Sequence, residues 1–78
     1  VKKERPELHF QSRHESGNTL YILTMVRDVL RKQRRYTDYN NLRDAVLNAG
    51  SYEEALRLMN EHVCLIDDDG LYVLQKGI

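Results

Sequence analysis

The clearest signal along the chain is a helical stripe. From Thr19 to about Arg35 the apolar residues Tyr21, Ile22, Met25, Val26, Val29 and Leu30 recur at i, i+3, i+4, i+7 spacing. Leu23 widens the stripe, and Arg27, Arg31 and Arg34 occupy the other face. The turn cluster Glu15-Ser16-Gly17-Asn18 precedes it, and Asn18 has the short polar side chain that caps an early helical N–H. Upstream, Leu8 and Phe10 alternate with His9 and Gln11, which predicts a short strand within Glu7 to Arg13.

Downstream, Tyr36-Thr37-Asp38 reads as a linker in which Thr37 or Asp38 caps a second helix, roughly Tyr39 to Asn48, carrying Leu42, Ala45, Val46 and Ala49. Asn48-Ala49-Gly50 stops it. Ser51, with Glu54 three positions on, has the form of a capping box and opens a third helix with Ala55, Leu56, Met59 and Val63 on its apolar side and Leu58 flanking. Cys64-Leu65-Ile66 and Leu71-Tyr72-Val73-Leu74 are β-prone runs around Asp67-Asp68-Asp69-Gly70, and Asp69-Gly70 signals a type I′ hairpin turn. The expected fold is therefore α+β: a short N-terminal strand, three helices and a C-terminal β-hairpin able to sheet with that strand.

At 78 residues the chain has room for one core and one domain, spanning residues 1–78 with a charged, frayed start at residues 1–5. A hydrophobic fraction of 41% and a charged fraction of 31% disfavour disorder, and no apolar run reaches the roughly 18 residues of a membrane span. The basic start meets Pro6 and not an apolar stretch, so no signal peptide is read, and the lone Cys64 cannot close an internal disulfide. Both point to the cytoplasm. Formal net charge is zero, yet residues 1–35 hold nine Lys or Arg against four Asp or Glu, and residues 36–78 hold three against eight. Such asymmetry marks either a nucleic-acid or partner surface or halves that the fold mixes.

Candidate chemistry is sparse. Around Gly70, the EF-hand positions one, three, five and twelve fall on Leu65, Asp67, Asp69 and Lys76, which excludes that motif. His62 and Cys64, with His9 and His14, do not have the spacing of a structural zinc site, and a Cys64–His nucleophilic pair has no further support. With no phosphate loop, nucleophile elbow or repeated carboxylate motif, the sequence points to a non-enzyme without cofactor, metal or small-molecule substrate. Three helices before a hairpin also suggest a winged helix, but Glu53, Glu54 and Glu61 on the third helix and three Asp in the would-be wing would repel phosphate.

The best candidate surface is the basic end of the first helix, Arg27, Arg31, Lys32, Arg34 and Arg35, with Tyr36 and Tyr39 just after it. Arg and Tyr together suit protein hot spots and phosphate contacts. Cations against a helix C-terminus also gain from the macrodipole.

The segments Gly17-Asn18-Thr19-Leu20-Tyr21-Ile22-Leu23-Thr24-Met25-Val26-Arg27-Asp28-Val29-Leu30-Arg31-Lys32 and Gly50-Ser51-Tyr52-Glu53-Glu54-Ala55-Leu56 resemble small uncharacterised bacteriophage and prophage proteins. In those, a strand, a Gly-Asn turn and a helix with a Val-Arg pair precede a helix opened by Ser or Gly, Tyr and an acidic residue. The resemblance spans residues 8 to about 63 and implies a phage-associated setting in a bacterial cytoplasm, with no catalytic residues to carry over. The expected function is accessory: binding another protein or a second copy through Arg27, Arg31, Arg34, Arg35 and Tyr36. A nucleic-acid-binding module using the same helix end is the alternative.

Overall fold

The structure, a computed structural model, describes residues 5–74. Of the expected frayed start, residues 1–4 lie outside these described residues. The order is β1 (Glu7–Phe10), a single 3₁₀ turn (Glu15–Gly17), α1 (Thr19–Lys32), α2 (Tyr36–Leu47), α3 (Tyr52–Asn60) and β2 (Cys64–Asp67). The α+β class and the three helices are as expected.

The strands pair in parallel, Leu8 beside Leu65 and Phe10 beside Asp67, so the three helices form the crossover between them. The ladder is extended at both ends, where Cys64 N–H donates to the Pro6 carbonyl at 2.9 Å and Asp68 N–H to the Phe10 carbonyl at 2.8 Å. Two four-residue strands cannot hold themselves together in water, and they depend on the helices behind them. Phe10 and Leu65 join Ile22, Val26 and Leu30 of α1, Leu42 and Val46 of α2, and Leu56 and Met59 of α3 in one core. Each large side chain fully withdrawn from water contributes about 1.5–3 kcal/mol before the entropy of ordering it is set against that gain.

Two of the three predicted caps form: the Asn18 side chain accepts from Leu20 N–H at 2.8 Å, and Ser51 accepts from Glu54 N–H at 3.1 Å, whereas Thr37 and Asp38 lie inside α2, whose N-cap is Arg35 without a side-chain cap bond. Just before Asn18, Gly17 is obligatory, because a Cβ there would lie 2.6 Å from the Gln11 carbonyl oxygen and 2.7 Å from the Ser12 Cα.

Two boundaries move for the same reason. α1 ends at Lys32, not near Arg35, and α2 begins at Tyr36, not Tyr39. Arg34 sits at φ 59°, its N–H donating to the Arg31 carbonyl at 3.0 Å while Arg35 N–H donates to Leu30 at 2.8 Å. That is a complete Schellman closure. It reverses the chain in three residues, without the linker expected at Tyr36-Thr37-Asp38.

The hairpin does not form among the described residues, and this corrects the sequence reading. Gly70 takes φ 75° but Asp69 does not take a positive φ, so the turn is not type I′. Its Gly70 N–H closes on the Asp67 carbonyl at 3.0 Å. The outgoing chain is then caught by a side chain instead of a strand: Leu71 and Tyr72 N–H groups both donate to Asp67 Oδ2 at 3.0 Å. With those amides engaged, residues 71–74 make no ladder with β2, and the sheet partner of β2 is β1.

Candidate binding cleft

The Schellman turn folds α2 back along α1 and brings two polar rows together. Arg27 and Arg31 lie one turn apart on α1, about 6 Å along its axis. Tyr36, Tyr39, Asn40 and Arg43 follow the same i, i+3, i+4, i+7 logic on α2. Between them is a cleft of about 290 Å³ lined by these six residues, none of them acidic. Tyr36 is 58% exposed, whereas Tyr39 is half-buried and packs on the core, which fixes one wall.

Two carboxylates stand beside the cleft without lining it. Asp28 Oδ1 is 3.9 Å from Arg27 Nε, and Asp44 Oδ1 is 3.5 Å from Arg43 Nη2. Exposed pairs this long are worth little. Arg27 Nε itself is closed off from solvent and has no hydrogen-bond acceptor, alone in this among the buried side-chain nitrogens and oxygens of the described residues. An unmade buried donor costs about 1–3 kcal/mol.

Of the five residues expected to bind a partner, the fold unites Arg27, Arg31 and Tyr36 in the cleft and leaves Arg34 and Arg35 elsewhere. Arg34 is exposed in the helix-closing turn. The Arg35 side chain is only 15% exposed: its Nε donates to Asp38 Oδ2 at 2.7 Å, its Nη1 to Gln33 Oε1 at 2.9 Å, and its Nη2 lies 2.9 Å from His62 Nδ1. It ties the α1–α2 turn to the end of α3. Asn40 and Arg43 are new to the surface, and the signal that reveals them is their one-turn spacing from Tyr36 and Tyr39 once α2 is started at Tyr36.

The acidic turn is used internally. Asp67 is buried and accepts from the Ser12 hydroxyl at 2.7 Å, Ser12 N–H at 3.1 Å and Asp69 N–H at 2.9 Å, besides Leu71 and Tyr72. Burial pushes its pKa up, but the hydrogen bonds from Ser12, Tyr72 and Asp69 outweigh that and hold it at about 2. Arg13 N–H donates to Asp69 Oδ2 at 2.9 Å, and His9 Nδ1 lies 2.8 Å from Asp68 Oδ1. Tyr52 packs edge-on against Tyr72, ring centroids 5.2 Å apart, and donates its hydroxyl proton to the Gly17 carbonyl. Burial, and next the Asp67 charge, raise the Tyr52 pKa. No group of three or more His, Cys, Asp or Glu side chains among the described residues is arranged to hold a metal. With parallel strands there is no wing beside α3 among the described residues, and the first turn of α3 carries Glu53 and Glu54.

Comparison with protein-family models, curated proteins and solved structures found no match. No helix of the described residues is long and apolar enough to cross a membrane.

Proposed function

We propose that this domain acts without catalysis, by binding another protein, and that the α1–α2 cleft is the contact surface for an acidic region of that partner. The observation that carries this is the convergence of Arg27, Arg31 and Arg43 with Tyr36 and Tyr39 around a cleft that no carboxylate lines. Arg and Tyr are the residues that most often concentrate binding energy at protein interfaces. Complementary charge would set register and speed encounter. The expected setting is a bacterial cytoplasm, phage-encoded, and the genes on either side of the coding sequence test that part.

A single-stranded nucleic acid is the second reading, since arginines with stacking tyrosines also suit phosphates and bases. Zero net charge and the flanking Asp28 and Asp44 favour the protein partner. The test is to capture partners with the tagged domain, then measure binding of each purified partner to wild type and to an Arg31→Glu/Arg43→Glu variant. The expected result is a loss of about a hundredfold or more, reduced at high salt. Undiminished binding by the variant overturns the reading. Retention on a nucleic-acid column with a steep salt dependence transfers it to the second.

A further inference from the structure

β1 is paired along one edge only. Cys64 N–H donates to the Pro6 carbonyl and Asp68 N–H to the Phe10 carbonyl, so the backbone groups of Pro6, Leu8 and Phe10 point to β2, and by strand alternation those of Glu7 and His9 point away. Among the described residues no hydrogen bond uses the Glu7 or His9 amide or carbonyl on that outer side. Both ends of the strand are drawn toward β2. Arg5 Nη2 donates to the Asn60 carbonyl ahead of β2, and beyond β1 the Ser12 and Arg13 N–H groups donate to Asp67 and Asp69. The described chain therefore crosses the outer edge at neither end.

An edge this open is a template for another strand, and its side chains select which one. Those of Glu7 and His9 stand on the face away from the helices, 68% and 54% exposed, while Leu8, on the core side with Phe10, is only half-buried. We infer that β1 pairs antiparallel with β1 of a second copy about a two-fold axis at Leu8, joining the two-stranded sheets into one of four strands. In that register Glu7 stands opposite His9 of the second copy, and each such pair exchanges both of its N–H···O=C bonds. Opposite charges then face one another, because Asp68 draws His9 toward its charged form. His9 Nδ1 is engaged by Asp68 at 2.8 Å, whereas Nε2 lies 3.9 Å from its own Glu7, beyond hydrogen-bond reach, so the ring keeps one nitrogen for the incoming carboxylate. The two Leu8 side chains meet at the axis as a closely spaced pair and cover the apolar surface each copy leaves half-buried. Moving the register by two residues sets Glu7 against Glu7 or His9 against His9, and like charges reject both.

This contact is separate from the α1–α2 cleft and uses none of its lining residues. Short strands bury far less than a standard interface, so the dimer is weak, with a dissociation constant on the order of 100 µM. Sedimentation equilibrium from about 10 µM to about 1 mM should show a reversible monomer–dimer equilibrium. Over that range the Glu7 and His9 amides should shift in ¹⁵N spectra and gain protection from exchange with water, while the Leu8 amide, already in the ladder, changes little. Glu7→Pro deletes an outward N–H and the acid without touching the β1–β2 ladder, and Glu7→Lys sets like charges together; each should weaken dimerisation about tenfold or more. Circular dichroism checks that both fold, and Glu7→Lys decides alone if Glu7→Pro does not. A monomer at every concentration, a dimer as tight in Glu7→Lys as in wild type, or a dimer whose Glu7 and His9 amides stay unprotected each overturns the inference. A dimer lost in Arg31→Glu/Arg43→Glu and kept in Glu7→Lys assigns self-association to the cleft, and also overturns it.

Discussion

The carboxylate of Asp67 holds Ser12 by both its hydroxyl and its backbone N–H, at 2.7 and 3.1 Å, across 55 positions of sequence. The same carboxylate gathers the amides of Asp69, Leu71 and Tyr72. One buried anion thus fastens the loop after β1 and the chain after β2 to the end of the sheet.

Asp67→Asn should therefore destabilise the domain by about 3 kcal/mol, because the amide offers one acceptor oxygen where two were used and turns N–H groups toward donors. Urea unfolding measures this. The pH dependence has a definite sign: the carboxyl pKa is about 2 folded against 3.8 as the unperturbed value. The contribution is complete above 3.8 and disappears as pH falls through about 2. The stability gap between wild type and Asp67→Asn should close over that window, and a gap independent of pH would show that the ionised form is not what holds the loops.

His9 tests the opposite sign. Its hydrogen bond to Asp68, then the Asp68 charge, raise its pKa above 6.5. Its contribution is present below 6.5 and is lost as pH rises through the folded value. NMR titration of the His9 ring in wild type and in Asp68→Asn should show the pKa falling in the variant. No change would mean the pair does not persist in solution.

Arg34 occupies a left-handed conformation, φ 59°, at a position that glycine fills without strain. Arg34→Gly should raise stability by about 1 kcal/mol, seen as a higher melting temperature, and leave the cleft intact. A lower melting temperature would show that the arginine side chain contributes more than its backbone costs.

Arg35 is a structural side chain despite its place in a basic run. Arg35→Ala should cost about 2 kcal/mol in chemical unfolding, through loss of its bonds to Gln33, Asp38 and His62, whereas exposed Arg31→Ala should stay within about 0.5 kcal/mol. Equal effects would contradict the separation of anchor and surface arginines.

Several particulars explain what could be read along the chain. The α1 stripe, the Asn18 and Ser51 caps and the β-prone runs at Leu8 and Leu65 are local signals, and all reappear in the structure, save that Tyr21 of the stripe is exposed. The misjudged features involve a distant partner at the hairpin and a left-handed residue at the basic run. Asp69-Gly70 reads as a hairpin turn only while the carboxylate two residues earlier is ignored, and that carboxylate is engaged by Ser12 and by the outgoing amides. The basic run looked like one surface, but a left-handed residue at Arg34 splits it, turning Arg35 inward and laying α2 beside α1. The opposed charges of the two halves are partly joined at the α1–α2 turn, where Arg35 meets Asp38 at 2.7 Å.

Periodicity and capping are properties of neighbours within a few residues, and for this chain they were enough to establish the first strand, three helices and the faces those helices bury. Packing alone decided that the strands run parallel, that Asp67 replaces a ladder, and that Asn40 and Arg43 join Arg27, Arg31 and Tyr36 at one cleft. Each of those outcomes depends on side chains meeting backbone groups or other side chains far away in sequence, and no local pattern encodes such a meeting.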